Sequence, residues 1–150
     1  DPFIEELTLP KIGAERGARL YPFGELERAG ATLVAGSDWT VTTMNPWPAI
    51  EVAVTRREPD SSAAALGGPA QALGVGQELR VEAALAAYTR DGARAVGSQT
   101  EIGTLTAGKL ANFVVVDQNP LSIPIAELSD VVVEETWFLG RAVYVRATIN

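Results

Sequence analysis

The octapeptide Ala31-Thr32-Leu33-Val34-Ala35-Gly36-Ser37-Asp38 constrains this chain more than any other stretch. A short apolar run begins directly after Gly30 and stops at a glycine, a serine and an acid. A run with no polar alternation suits a strand buried on both faces, the environment of a parallel sheet covered by helices. Gly36 would let the chain turn sharply, and Asp38 would then be delivered to the C-terminal end of that strand. The flanking sequence supports a strand-helix rhythm. Phe23 and Leu26 recur three residues apart after Pro22, which the first position of a helix tolerates, and Gly30 is a natural helix stop. After Asp38, Trp39-Thr40-Val41-Thr42-Thr43-Met44 reads as a hydroxyl-rich loop, and Asn45-Pro46 as an N-cap followed by the first helical residue. Trp47, Ile50 and Val54 then share one face at i, i+3 and i+7, giving a helix to about Arg57.

The rhythm breaks over residues 58–76, where turn formers and small residues (Pro59, Ser61, Ser62, Gly67, Gly68, Pro69, Gly74, Gly76) predict a mobile excursion. Residues 79–96 carry the strongest helical signal, with Val81, Ala84, Leu85 and Tyr88 on one stripe. Thr89-Arg90-Asp91-Gly92 is able to interrupt it, and Gly97 ends it. Beyond about residue 100 the style changes. Turn-rich residues 102–109 lead to a β-branched strand at 112–117, one helical turn near Pro124, and two more strands at 131–138 and 142–145 around a hairpin turn at Leu139-Gly140-Arg141. The expected fold is therefore α/β over residues 1–100 followed by all-β over residues 101–150.

Composition narrows the function classes. The longest apolar runs, residues 83–87 and 113–116, fall far short of the roughly 20 residues that cross a bilayer, so no membrane partner is expected. Twelve Lys and Arg against nineteen Asp and Glu give a net charge of −7, which repels a phosphate backbone and argues against nucleic acid. The acidic start Asp1-Pro2-Phe3-Ile4-Glu5-Glu6 is unlike a signal peptide and reads as a cut end, so the compartment is not fixed, with the cytoplasm favoured over secretion. Zero cysteines remove thiolate ligands and disulfides. Zero histidines matter more, because a catalytic zinc site normally takes at least two imidazoles.

In a barrel of parallel strands, functional groups sit at the C-terminal strand ends. Asp38 occupies that position if residues 31–35 form such a strand, and a carboxylate there can ligate a divalent metal and take a proton from an activated water. Gly-Ser-Asp is also a common turn or cap tripeptide, so the triplet alone decides nothing. Its company is more specific. Tyr21-Pro22-Phe23, the strand ending Gly36-Ser37-Asp38-Trp39, then Asn45-Pro46 and Ala53-Val54-Thr55-Arg56, resembles in order the last barrel strand and helix of the amidohydrolase superfamily. The branch is amidohydrolase family 3, with its N-substituted formamide deformylase-like enzymes. Residues 82–89 (Glu-Ala-Ala-Leu-Ala-Ala-Tyr-Thr) are similar to the helix after the barrel. Residues 102–117, with Asn119-Pro120-Leu121, are similar to the return into the small β-sandwich domain.

The resemblance implies the last strand-helix units of a (β/α)8 TIM-type barrel over residues 1–100, and C-terminal strands of a composite β-sandwich over 101–150. It implies hydrolysis of an amide or related C–N bond in a small-molecule substrate. Asp38 alone matches a catalytic position, the aspartate of the eighth strand that binds the metal, zinc, and acts as general base. The remaining ligands would come from the N-terminal part of the same enzyme or from a second copy, leaving the isolated chain inactive. Trp39, Thr40 and Met44 lie on the loop after that strand and are candidate substrate contacts, although an aromatic there also packs well against the next helix. Arg80 stands where relatives carry a Ser or Thr cap, and Asn112 where Asp is commoner.

Other residues read as structural. Lys109 beside Gly108 lacks the Ser or Thr that follows the lysine of a phosphate-binding loop and reads as a turn lysine. Glu134 and Glu135 point to opposite strand faces and so do not flank one bond; they read as edge charges. The rival reading is a non-catalytic interaction module that retains an amidohydrolase tail.

Overall fold

A computed structural model describes residues 3–59 and 72–147. The excursion expected over residues 58–76 lies largely outside the described residues. A π-helical segment, Phe3–Thr8, runs into helix α1, Leu9–Gly17, which is broken at Gly13 (φ 78°). Helix α2 covers Phe23–Arg28, α3 Trp47–Thr55, α4 Val81–Tyr88 and α5 Arg90–Ala95. Strand β1 is Phe113–Val116, β2 Val133–Phe138 and β3 Arg141–Val145, and a 3₁₀ segment, Ile125–Asp130, lies between β1 and β2. The described residues thus form a small α/β arrangement with one three-stranded antiparallel sheet in the order β1-β2-β3. None of their helices is long and apolar enough to cross a membrane.

Local chemistry accounts for most element ends. Pro22 precedes α2, and Ala29 closes it just before Gly30, whose φ is 81°. Asn45 Oδ1 accepts from the Trp47 N–H at 3.2 Å, satisfying one of the donors that α3 leaves free at its start. The helix begins at Trp47 rather than Pro46 and ends at Thr55, because Arg56 turns left-handed (φ 58°). The long helix expected over 79–96 is two helices. Thr89, with φ −124° and ψ −95°, separates them, as the Thr-Arg-Asp-Gly sequence allows, and Gly97 (φ 73°) follows the second. In the hairpin, Leu139 (φ 51°) and Gly140 (φ 74°) both have positive φ, as a two-residue type I′ turn requires. Arg141 belongs to β3 rather than to the turn.

The core straddles both stretches of sequence. Trp47, Ile50 and Val54 of α3 pack with Ala84, Leu128 and Val131, and Val81, Leu85 and Tyr88 support them. The stripe anticipated on α4 therefore faces α3, and the 3₁₀ segment packs on α3 in the same core. Glu51, only 3% exposed, fixes that contact, its Oε2 accepting from the Ser129 N–H at 2.7 Å.

Two expectations need correction. Residues 31–37 have no regular secondary structure and no ladder partner among the described residues, so no strand forms there. Among the described residues their backbone bonds run to helices: Ala31 N–H to Leu26 O at 2.9 Å and Ala35 N–H to Ala87 O at 3.2 Å. Val34 is 51% exposed. A strand exists only through its neighbours' hydrogen bonds, and an apolar pattern does not supply them. Glu134 and Glu135 are not edge charges either, since β2 is the central strand. Glu134 pairs with Arg146 at 2.8 Å, and Glu135 accepts from the Trp137 indole at 2.6 Å. That indole ring stacks on Phe113 of β1, centroids 5.5 Å apart, fixing the cross-strand register.

Candidate functional site

Asp38 stands where residues 31–37 end, with its backbone left-handed at φ 50°. Asp and Asn populate this region more readily than other non-glycine residues. The sharp turn is therefore made at Asp38 and not at Gly36. The Val41 N–H closes it by donating to the Asp38 carbonyl at 2.7 Å. Downstream, the loop's polar side chains turn onto its own backbone. The Thr42 hydroxyl donates to the Ser37 carbonyl, Thr43 Oγ1 accepts from the Asn45 N–H at 3.1 Å, and Asn45 caps α3. Such side-chain bonds hold a loop without secondary structure.

Every residue from Asp38 to Asn45 is exposed, among them three large apolar groups: Trp39, 61% exposed, Val41, 79%, and Met44, 66%. The structure places all four residues singled out from the sequence on one exposed loop. Val41 joins them, and its signal was the absence of any charge from Trp39 through Ile50. Among the described residues no hydrogen bond or ion pair reaches the Asp38 carboxylate, and no group of three His, Cys, Asp or Glu gathers to hold a metal. An exposed, unengaged carboxylate fits a divalent cation as one oxygen ligand of a larger set. The described residues do not provide the rest of that set.

A cleft among the described residues lies elsewhere. About 470 Å³ opens between residues 27–33 and helices α4 and α5, and neither Asp38 nor its loop lines it. Three arginines there (Arg80, Arg90, Arg94) face three acids (Glu27, Glu82, Asp91). Arg80, the position with no capping side chain, donates through Nε and Nη2 to Glu27 Oε1 at 2.9 and 2.8 Å. Arg90 grips both oxygens of Asp91 at 2.9 Å, and this hydrogen bonding holds the Asp91 carboxyl below the usual carboxylate range. The charges answer one another, so the cleft has no net attraction for an ion of either sign.

Arg56 was not anticipated. It is 7% exposed and sits immediately after α3. Its Nε donates to Leu73 O at 2.8 Å and its Nη2 to Leu20 O at 3.2 Å, and its guanidinium lies 5.7 Å from the Phe23 ring centroid. Burial lowers its pKa, partly offset by Glu78 and Tyr21. It thereby ties the chain before the octapeptide to the helix after it. Lys109 is a turn lysine as expected, its Nζ donating to the carbonyls of Gln99 and Ile102.

The family described as Amidohydrolase family matches residues 1–144, nearly the whole chain. The chain belongs to the amidohydrolase family. Two curated relatives of this amidohydrolase chain extend the finding. Protein LONG AFTER FAR-RED 3 of Arabidopsis thaliana is 36% identical over 110 residues, 73% of the chain and 18% of the relative. N-substituted formamide deformylase of Arthrobacter pascens is 30% identical over 128 residues, 85% of the chain and 22% of the relative. The amidohydrolase chain thus spans about a fifth of the length of these relatives. No solved structure matches it significantly.

Proposed function

We propose that this chain is the C-terminal portion of a metal-dependent amidohydrolase that cleaves an amide or related C–N bond by water. The observation that carries the reading is the family match over residues 1–144 together with Asp38, an exposed carboxylate with no partner among the described residues. The deformylase relative, by its name, acts on N-substituted formamides, which makes amides the first substrates to try.

In this reading residues 31–37 and α3 are the last strand-helix step of a (β/α)8 barrel, and β1 to β3 belong to a β-sandwich beside it. The half-exposed Val34 and the missing ladder partners of residues 31–37 support it, since a barrel strand needs neighbours on both edges. The N-terminal part of the same enzyme, or a second copy, would supply the other metal ligands. A divalent cation, zinc by the family's chemistry, supplies Lewis-acid activation of water when bound. Asp38 then accepts the water's proton and returns it to the leaving amine, a positioned acid-base role worth about 10² to 10⁴ in rate. Trp39, Thr40 and Met44 contact the substrate beside it.

Metal removal tests the reading. In the full-length protein, chelation should abolish hydrolysis of N-substituted formamides, and a divalent metal should restore it. Hydrolysis that survives with no bound metal detectable by mass spectrometry would count against it.

A further inference from the structure

Asp38 stands at φ 50°, in the left-handed region that is unfavourable to any residue with a Cβ, and such a conformation persists only where the surroundings hold it. Two hydrogen bonds do so. Val41 donates its N–H to the Asp38 carbonyl at 2.7 Å, and the neighbouring Thr42 hydroxyl donates to the Ser37 carbonyl. These carbonyls bracket the φ dihedral of Asp38, one belonging to the peptide before its Cα and the other to the peptide after it. Holding both sets the direction in which the Cα–Cβ bond leaves the chain. The carboxylate has no hydrogen bond or ion pair of its own among the described residues, so the backbone aims it. The turn is in its own way tied to the core. Thr43 Oγ1 accepts from the Asn45 N–H at 3.1 Å, Asn45 Oδ1 accepts from the Trp47 N–H at 3.2 Å, and Trp47 is buried.

We propose that Thr42 is a positioning residue for Asp38, its hydroxyl holding the Ser37 carbonyl so that the Asp38 carboxylate keeps a single direction; this rests on the reading of Asp38 as metal ligand and general base. Val41 contributes only its backbone, so any residue other than proline supplies that half of the turn. Thr42 contributes its side chain, so the residue type at this position matters. Both ends of the Thr42 bond lie near solvent. Water replaces the lost partner there, and removing the hydroxyl changes stability little. Rate is more sensitive, because it depends steeply on where the reacting groups are placed.

The test uses the full-length protein with N-butylformamide as the probe. Thr42→Val keeps the shape of the side chain without its hydroxyl, and Thr42→Ser keeps the hydroxyl. Thr42→Val should lower kcat about tenfold, a scale set by one hydrogen bond and by the placement of a reacting group, with KM and Tm near wild type. Zinc titrated into the metal-free protein should bind Thr42→Val more weakly than wild type. Thr42→Ser should recover both kcat and zinc affinity. Since Thr42 acts through Asp38, adding Thr42→Val to Asp38→Asn should lower kcat no further. Wild-type kcat and zinc affinity in Thr42→Val, with Asp38→Asn impaired, would overturn the role of Thr42 and leave that of Asp38 standing. So would a loss that Thr42→Ser does not recover, or one that adds in full to that of Asp38→Asn. If Asp38→Asn turns over the probe like wild type, the reading of Asp38 fails and the role of Thr42 falls with it.

Discussion

Glu51 shows how much a single buried carboxylate can matter in this chain. It is 3% exposed, and its Oε2 is the acceptor for the Ser129 N–H. Glu51→Ala strands that donor, and a buried donor left without its partner costs about 1–3 kcal/mol. Urea denaturation of the two proteins should show that loss, and an unchanged midpoint would remove Glu51 from the account. Arg56 is a second such residue, with two carbonyls and the Phe23 ring on one guanidinium. Lysine does not present a planar fork, so Arg56→Lys is expected to destabilise nearly as much as Arg56→Ala. Asp91 gives a pH dependence. Its folded carboxyl is held below the ordinary range by Arg90. The resulting stabilisation is fully present above the unfolded value, about 3.9, and is lost as pH falls through the folded value. The Tm gap between wild type and Asp91→Asn should therefore be constant from pH 7 to about 5 and close below pH 4. A gap that widens in acid would contradict the pairing. The roles of Glu51 and Arg56 were not legible in the sequence, because each depends on a fold-made contact, whereas Asp91 pairs with its own neighbour in sequence. Ser129 is 78 positions from Glu51, and Leu20 is 36 from Arg56. Asp38 was singled out because its neighbours in sequence, Gly36 to Trp39, carry the resemblance themselves.

At the scale of elements, the packing of α3 on the 3₁₀ segment organises the described core. Leu128 is fully buried there against Ile50 and Val54. Leu128→Ala should cost about 2–5 kcal/mol, the range for large-to-small changes in a close-packed core. A thermal melt unchanged by that substitution would mean that the 3₁₀ segment does not pack as described. Helices α2 and α3 and the β-hairpin were read correctly because their determinants are local: helical periodicity, Asn45 and the Leu139-Gly140 turn; the helical stretch Phe3–Leu9, with no sustained period, was not. The α4–α5 break was legible only as a possibility, since Thr89-Arg90-Asp91-Gly92 tolerates a kink without demanding one. Close approach decides it in part. A Cβ on Gly103 (φ 91°) would come within 2.5 Å of the Ala93 Cβ, so the chain after α5 lies directly on that helix. Residues 31–37 failed as a strand for the opposite reason. Their apolar pattern suits burial, but none of them is buried here, and a strand also requires edge partners, which the described residues do not offer.

For the whole molecule, the surface carries the argument. Much of the exposed surface is apolar, including Val34, Val41, Val143 and Val145. A chain that spans about a fifth of its relatives fits this picture, and the isolated 150 residues are expected to associate and to hydrolyse no amide. Activity in a preparation shown by mass spectrometry to contain only these residues would refute that expectation. The central claim, that Asp38 moves the proton in C–N bond hydrolysis, is tested most directly by turnover of the full-length Asp38→Asn protein. The account predicts kcat lower by about 10² to 10⁴ with Tm close to wild type, since the exposed side chain holds no structural bond among the described residues. Wild-type turnover by a metal-loaded Asp38→Asn protein would contradict it.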